Sequence, residues 1–378
     1  MACLCYHYRL RMDFRKFATA LLLYLSSGVC LASDFQGATH LMPIDEDTFN
    51  YSKSAPASAV SKLQKRIDSG ELKLPWDPKY GYLPALLNEL NLPVSSQMLV
   101  FSKTSLQRER ISPSNPRALY FNDDVYLGWI PGAPLMEVSV ADPKLGGVFY
   151  SLPQKPVEKP KFFRNDQCLE CHASSKSMGV PGHLVRSFET DDDGVVDLSS
   201  GTSQVDDRTP FEERWGGWYV TGTHGKQTHR GNLVGKAAFE RHAKEPNFAG
   251  NCTNLSQYLE LQKYESPHSD IVALMVLEHQ THMHNYITRL NYEATLALKT
   301  YGHANYLKSI VEGFVRYMLF TEEAPLTAEV KGTSDFQKEF EARGPKDSKG
   351  RSLRQMDLKT RLFKYPCSFL IYSESFDT

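Results

Sequence analysis

Hydrophobic positions change period along this chain. Between residues 98 and 152 they fall into short runs, at 98–102, 118–121, 125–130, 135–140 and 147–152, each rich in Val, Phe, Tyr or Leu. Asn122-Asp123-Asp124, Pro131-Gly132-Ala133-Pro134 and Asp142-Pro143 punctuate them. Short runs bounded by turn residues predict an antiparallel meander. Their alternation is imperfect, which leaves the exposure of each strand open. Upstream, residues 83–90 predict a short amphipathic helix behind the Pro75-Trp76-Asp77-Pro78 loop. Beyond residue 254 the period lengthens. Val272, Met275, Val276, Met283, Tyr286, Leu290 and Ala294 predict one helix over about 270–299, with Ser269 as its N-cap and Asp270 in the first turn. Helices are also predicted over 305–320 and 334–343, the last stopped by Gly344-Pro345. The ending at 364–373 reads as a strand. Residues 184–188 and 195–198 flank Asp191-Asp192-Asp193-Gly194, which predicts a hairpin with a D-G turn. The three aspartates there read as a solvated turn, because a calcium loop needs more oxygen ligands at set spacings.

Composition narrows the class. The 378 residues carry 43 basic and 44 acidic side chains, a net charge of -1, so no basic excess drives nucleic-acid binding. No run of apolar residues is long enough to span a bilayer. The N-terminus reads as an export leader over residues 1–32, with the true start at Met12: Arg15 and Lys16, an apolar stretch at 17–25, then Cys30-Leu31-Ala32 before Ser33. Lipid attachment at Cys30 is the second reading, disfavoured by the bulky Val29 before it. Four cysteines remain beyond the leader: Cys168, Cys171, Cys252 and Cys367. In an oxidising compartment a spare pair tends to close, so Cys252–Cys367 is the candidate disulfide, against two buried thiols.

Residues 168–172 read Cys-Leu-Glu-Cys-His, the C-x-x-C-H pattern of c-type haem attachment. Two thiols three positions apart project from one side of a turn and can add to the two haem vinyl groups, and the following His supplies the proximal imidazole. A thioredoxin-like redox motif needs a strand before it, whereas residues 153–161 are a Pro/Lys-rich linker. A zinc site needs a second close pair of ligands. One motif implies one covalent haem c, held by Cys168 and Cys171 with His172 on the iron. The distal position stays open at this level. His224 and His229, in a Gly-rich loop after Trp215-Gly216-Gly217-Trp218-Tyr219, are preferred over His183 and Met178, which follow the motif closely.

The predicted long helix holds Glu278-His279-Gln280-Thr281-His282-Met283-His284, which is not the H-E-x-x-H zinc motif. At 100° per residue His279 shares the inward face with Met275, Met283 and Tyr286; His282 could be oriented by Glu278 one turn back, and His284 points elsewhere. His279 is therefore a further distal candidate, against a satisfied core histidine.

CLECHASSKSMGVPGHLVRS, ERWGGWYVTGTHG, LEHQTHMHN and the GPKDSKGRSLRQMDLKTRLFKYPCSFLIYS ending together resemble a family of exported proteins with a single-haem cytochrome c domain. The likeness covers about residues 80–378 and leaves out residues 1–11. It implies haem c at Cys168, Cys171 and His172 and a periplasmic location in a Gram-negative bacterium, and it brings no substrate. The expected fold class is α+β: an antiparallel β-rich N-terminal half with a haem c attachment segment, then a mainly α-helical C-terminal half. The regions are 33–80 (polar extension), 81–152 (β), 153–253 (haem-binding) and 254–378 (helical). The expected function is single-electron transfer by a periplasmic mono-haem cytochrome with unidentified redox partner proteins, no nucleic acid and no membrane span after leader removal. The alternative is a haem-dependent oxidoreductase, peroxidase-like or activating a small ligand, with an open distal site. A chain this long leaves catalysis or partner docking to account for what a bare carrier does not need.

Overall fold

The structure is a computed structural model that describes residues 40–377. The leader, with Met12 and Cys30, lies outside the described residues. In chain order the elements are α1 (Ala59–Ser69), α2 (Leu83–Glu89), β1 (Met98–Val100), β2 (Arg117–Phe121), β3 (Val125–Trp129), β4 (Leu135–Asp142), β5 (Gly146–Pro153) and β6 (Phe163–Arg164). There follow α3 (Leu169–His172), β7 (Arg186–Phe188), β8 (Thr202–Gln204), β9 (Trp218–Tyr219), β10 (Gly222–Thr223) and α4 (Lys236–Lys244). The last are α5 (Ile271–Tyr301), α6 (Lys308–Met318), β11 (Lys331–Gly332) and α7 (Phe336–Ala342). The α+β expectation holds in this form: a seven-stranded antiparallel sheet, with most helices later in the chain.

The sheet runs in the order β6-β5-β4-β3-β2-β1-β9. Its register divides the core. Tyr120, Leu127, Val138 and Tyr150 lie opposite one another across four strands and pack beneath α1 and α2. The next row, Phe121, Tyr126, Ser139 and Phe149, lies on the other face, because successive side chains alternate. Phe121 and Tyr126 join the core built around α5. The central strand β3 is buried on both faces, which is why its alternation was illegible.

Every residue of α5 from Ile271 to Ile287 is buried, although seven of them are charged, amide or imidazole side chains or Thr. The helix begins at Asp270 rather than Ser269. Asp270 Oδ1 accepts from the Val272 and Ala273 N–H groups at 2.8 and 3.2 Å, and its Oδ2 accepts from the Thr333 and Ser334 N–H groups, tying β11 and the start of α7 to the helix. Ser269 instead bridges Leu99 N–H and the Tyr219 carbonyl.

Three other expectations change. β7 pairs with β8, Arg186 opposite Gln204, while the D-G turn forms no strand pair and is closed by the isolated Thr190–Val196 bridge and by the Asp191 carboxylate accepting from Asp193 and Val195 N–H. The C-terminal segment forms a 3-10 turn over Phe369–Tyr372, capped by Ser368, in place of a strand. The Cys252–Cys367 disulfide is not formed; both are free thiols. Cys252 lies beside β10, giving its carbonyl to Gly222 N–H and packing on the α1/α2 side, whereas Ser368 next to Cys367 is bound to Met318 at the end of α6. Helix α1, within the polar stretch of residues 33–80, buries Val60, Leu63 and Ile67 behind a Ser58–Ser61 capping box. None of the described helices is long and apolar enough to cross a membrane.

Burial lowers the pKa of His282 and of His284 to about 4, so both imidazoles are neutral near pH 7. In the unfolded chain they take protons near their ordinary value, so their contribution to stability is complete above about pH 6.5 and is lost as pH falls from there toward about 4. The unfolding free energy should therefore drop between about pH 7 and pH 5, by about 2 kcal/mol per histidine at pH 5 and up to about 3 kcal/mol toward pH 4. His284→Gln should flatten part of that slope in urea titrations; an unchanged slope would show that His284 is not held neutral.

Candidate haem-attachment site

Helix α3 and the loop behind it present the C-x-x-C-H residues. Asn165 caps the turn leading into α3, its side chain accepting from Gln167 N–H. Cys168 is half-buried and Cys171 exposed, and both are free thiols. Burial, helped by the nearby carboxylates of Glu137 and Asp166, pushes the Cys168 thiol up to about 11.

His172 has a defined tautomer. Its Nδ1 lies 2.9 Å from the Gly182 carbonyl, which can only accept, so the proton sits on Nδ1 and Nε2 keeps its lone pair. Burial lowers the His172 pKa; the Gly182 hydrogen bond and Glu137 oppose that lowering, while Arg117 and Arg186 add to it. A neutral imidazole with a free Nε2 is what iron ligation requires. The ring packs 4.7 Å from Phe149 on β5. The donor set therefore fits a covalently attached haem: two thiols one turn apart and an oriented imidazole beside them.

The Gly182 carbonyl is itself held from two sides. On the sheet side, Gly147 N–H donates to the Pro181 carbonyl at 2.7 Å. On the helix side, Asn285 of α5 accepts from His183 N–H at 2.9 Å and donates to the His183 carbonyl at 2.8 Å. A Cβ at residue 182 would collide with Asn285 Oδ1, so glycine is required for this approach. Gly182 N–H and Ser177 Oγ both donate to the His172 carbonyl, closing the loop on itself.

The five distal candidates do not converge. Met178 and His183 belong to the loop on the Nδ1 side of His172. Met178 is buried in the α5 core, and its carbonyl accepts from Arg289. His183 Nε2 bonds Ser139 Oγ at 3.0 Å. His279 has both nitrogens engaged: Nδ1 donates to Asp207 at 3.0 Å and Nε2 accepts from Ser368 Oγ at 2.9 Å. His224 and His229 pair with each other, ring centroids 4.7 Å apart, against Phe211 and Trp215. Asn251 N–H donates to His224 Nε2, and Gly231 N–H to His229 Nδ1. Among the described residues no hydrogen bond or ring contact joins either of them to His172 or Phe149.

The helix wheel misplaced the partners of the histidine cluster. Glu278 pairs with Arg214 and accepts from Trp215 Nε1, so it does not orient His282. Arg208 donates to His282 Nε2 at 3.1 Å, with Asp206 behind it. His284 is turned inward, its Nδ1 3.1 Å from the Tyr126 hydroxyl. The Ser368–His279–Asp207 array has the order of a nucleophile, base and carboxylate. All three are sealed, at 0, 0 and 2% exposure, so the array locks the C-terminal segment to α5 and meets no substrate. Among the described residues no cluster of three or more His, Cys, Asp or Glu is arranged to hold a metal ion. Neither Asn285 nor Gly182 carried a sequence signal beyond the Pro-Gly turn before His183.

No family model, no curated protein and no solved structure matches the chain.

Asn285→Ala removes both bonds to the His183 backbone and leaves a buried donor and acceptor unpaired. It should lower the unfolding free energy by about 3 kcal/mol and, by loosening the Gly182 carbonyl that supports the protonated imidazole, move the His172 titration, followed by NMR in haem-free protein, further below its ordinary value. If neither changes, Asn285 does not hold the loop.

Proposed function

We propose that the chain is an exported mono-haem c-type cytochrome, working in the periplasm of a Gram-negative bacterium and passing single electrons between redox partner proteins. The observation that carries this reading is the His172 tautomer, with Nδ1–H spent on Gly182 and Nε2 left to ligate, beside two free thiols. Haem c, when bound, supplies the one-electron couple. Cys168 and Cys171 would hold it as thioethers and His172 would take the iron. The Gly182 carbonyl keeps the imidazole oriented and raises its basicity, and Phe149 shields one side of the ring from water.

Produced with a cytochrome maturation system, the mature protein should be coloured and heavier than its polypeptide by one haem. Cys171→Ala should retain at most one thioether and shift the reduced absorption bands to longer wavelength. Colourless protein with the mass of bare polypeptide would overturn the reading.

A second reading, a haem-dependent oxidoreductase with an exchangeable distal position, is favoured by the placement of the five candidate ligands. Two lie on the Nδ1 side of His172, one is fully bonded and two belong to a separate aromatic cluster. Carbon monoxide should therefore shift the spectrum of the reduced protein readily, and His224→Ala and His229→Ala should leave that spectrum as it is. No shift with carbon monoxide would sink the second reading and leave the six-coordinate carrier.

A further inference from the structure

A row of rings leads from His172 into the protein. Phe149 lies 4.7 Å from His172, His183 lies 5.7 Å from Phe149, and Tyr126 lies 4.3 Å from His183, all between centroids. Phe149, Ser139 and Tyr126 stand opposite one another on β5, β4 and β3, so the sheet register fixes the row. Phenyl and imidazole rings are hard to oxidise. Tyr126 is the first phenol along this path.

The hydrogen bonds at Tyr126 settle where its proton points. Gln280 Nε2 donates to the Asn122 carbonyl at 2.7 Å, which identifies the amide nitrogen, and the same nitrogen donates to the Tyr126 hydroxyl oxygen at 2.9 Å. The hydroxyl therefore accepts from Gln280 and gives its one proton to His284 Nδ1 at 3.1 Å. His284 is then protonated on Nε2, which is buried with no hydrogen-bond partner, as is His183 Nδ1. Burial pushes the Tyr126 phenol well above its ordinary value, so a bare phenolate is strongly disfavoured. Burial also keeps His284 neutral and able to accept.

We infer that Tyr126 is a redox-active tyrosine that returns an electron toward the haem held at His172 while handing its phenolic proton to His284. The inference rests on the haem reading above in its second form, with an exchangeable distal position. The oxidant is hydrogen peroxide, which takes two electrons and two solvent protons as its O–O bond breaks to give two waters; one electron would come from the reduced haem and the other from Tyr126. At Tyr126 the O–H bond breaks, the electron passes along the Phe149–His183 row, and the proton moves to His284 Nδ1. The products are a neutral phenoxyl radical and an imidazolium. Asp123, which pairs with Arg354, is the carboxylate whose charge favours that imidazolium.

The test is freeze-quench EPR of the full, haem-loaded and reduced chain mixed with hydrogen peroxide. The wild type should give a tyrosyl radical. Tyr126→Phe, which keeps the ring, should lose most of that signal with its haem absorbance unchanged. Tyr120→Phe, on the opposite face of the sheet, should keep it. His284→Gln should diminish the signal or alter its g-values, since the proton acceptor is gone. Coloured, peroxide-reactive wild type without a tyrosyl radical, or a Tyr126→Phe radical equal in size and shape to the wild type, would overturn the inference alone. A coloured preparation that hydrogen peroxide leaves unchanged would also overturn it, and a colourless preparation would overturn the haem reading and this inference with it.

Discussion

A helix enclosed on all sides is ordinarily apolar. The first half of α5 is enclosed and yet carries Glu278, His279, Gln280, His282, His284 and Asn285. Buried polar groups must be paired or they cost free energy comparable to a lost hydrogen bond. The partners come from far along the chain in both directions: Tyr126 and the Asn122 carbonyl from the sheet, His183 from the loop after α3, Arg208 and Arg214 from the middle region, and Ser368 from the C-terminal turn. Each pairing is specific in direction as well as distance. The helix therefore acts less as a hydrophobic plug than as a template on which the other segments must be seated in one arrangement.

That constraint reaches the candidate site through Asn285. Its two bonds to His183 fix the position of the preceding carbonyl, and that carbonyl fixes the His172 tautomer. The sheet contributes the opposing bond from Gly147, so His172 is referenced to both layers of the fold. Paired buried ions and amides contribute little net stability compared with apolar packing, and their value is in specifying one geometry. A proximal ligand whose orientation tunes a redox centre is a place where such specificity has a use.

The sheet was legible in the sequence because its turns are chemically explicit. Asn122-Asp123-Asp124 and Asp142-Pro143 stop strands within a residue or two of where β2 and β4 end. The length of α5 was legible from its period and from Gly302 at its end. What surrounds α5 was not. A helical wheel assumes one wet face and so sets His284 apart from the inward row of His279; when every face is buried the wheel has no reference direction. Cys-Leu-Glu-Cys-His is a pattern of five adjacent residues, so it can be noticed without any knowledge of the fold. The carbonyl that orients His172 cannot, because it depends on Asn285, more than a hundred residues away. The disulfide expectation failed for a related reason: counting cysteines pairs what is left over, and takes no account of Cys252 and Cys367 being fastened to different parts of the structure.

The two sides of His172 are built unequally. The Nδ1 side is over-determined, with Ser177, Gly182, His183 and Asn285 bound to one another and to β5, while no hydrogen bond from a described residue reaches Nε2. A carrier that relies on a strong sixth ligand to set its potential would concentrate structure on both sides of the iron. Here the chain spends its precision behind the His172 imidazole, where it also places a row of rings ending at a hydrogen-bonded phenol. That asymmetry accounts for why so long a chain surrounds so short a motif. The additional residues build the template helix, and the template helix builds the ground on which His172 stands.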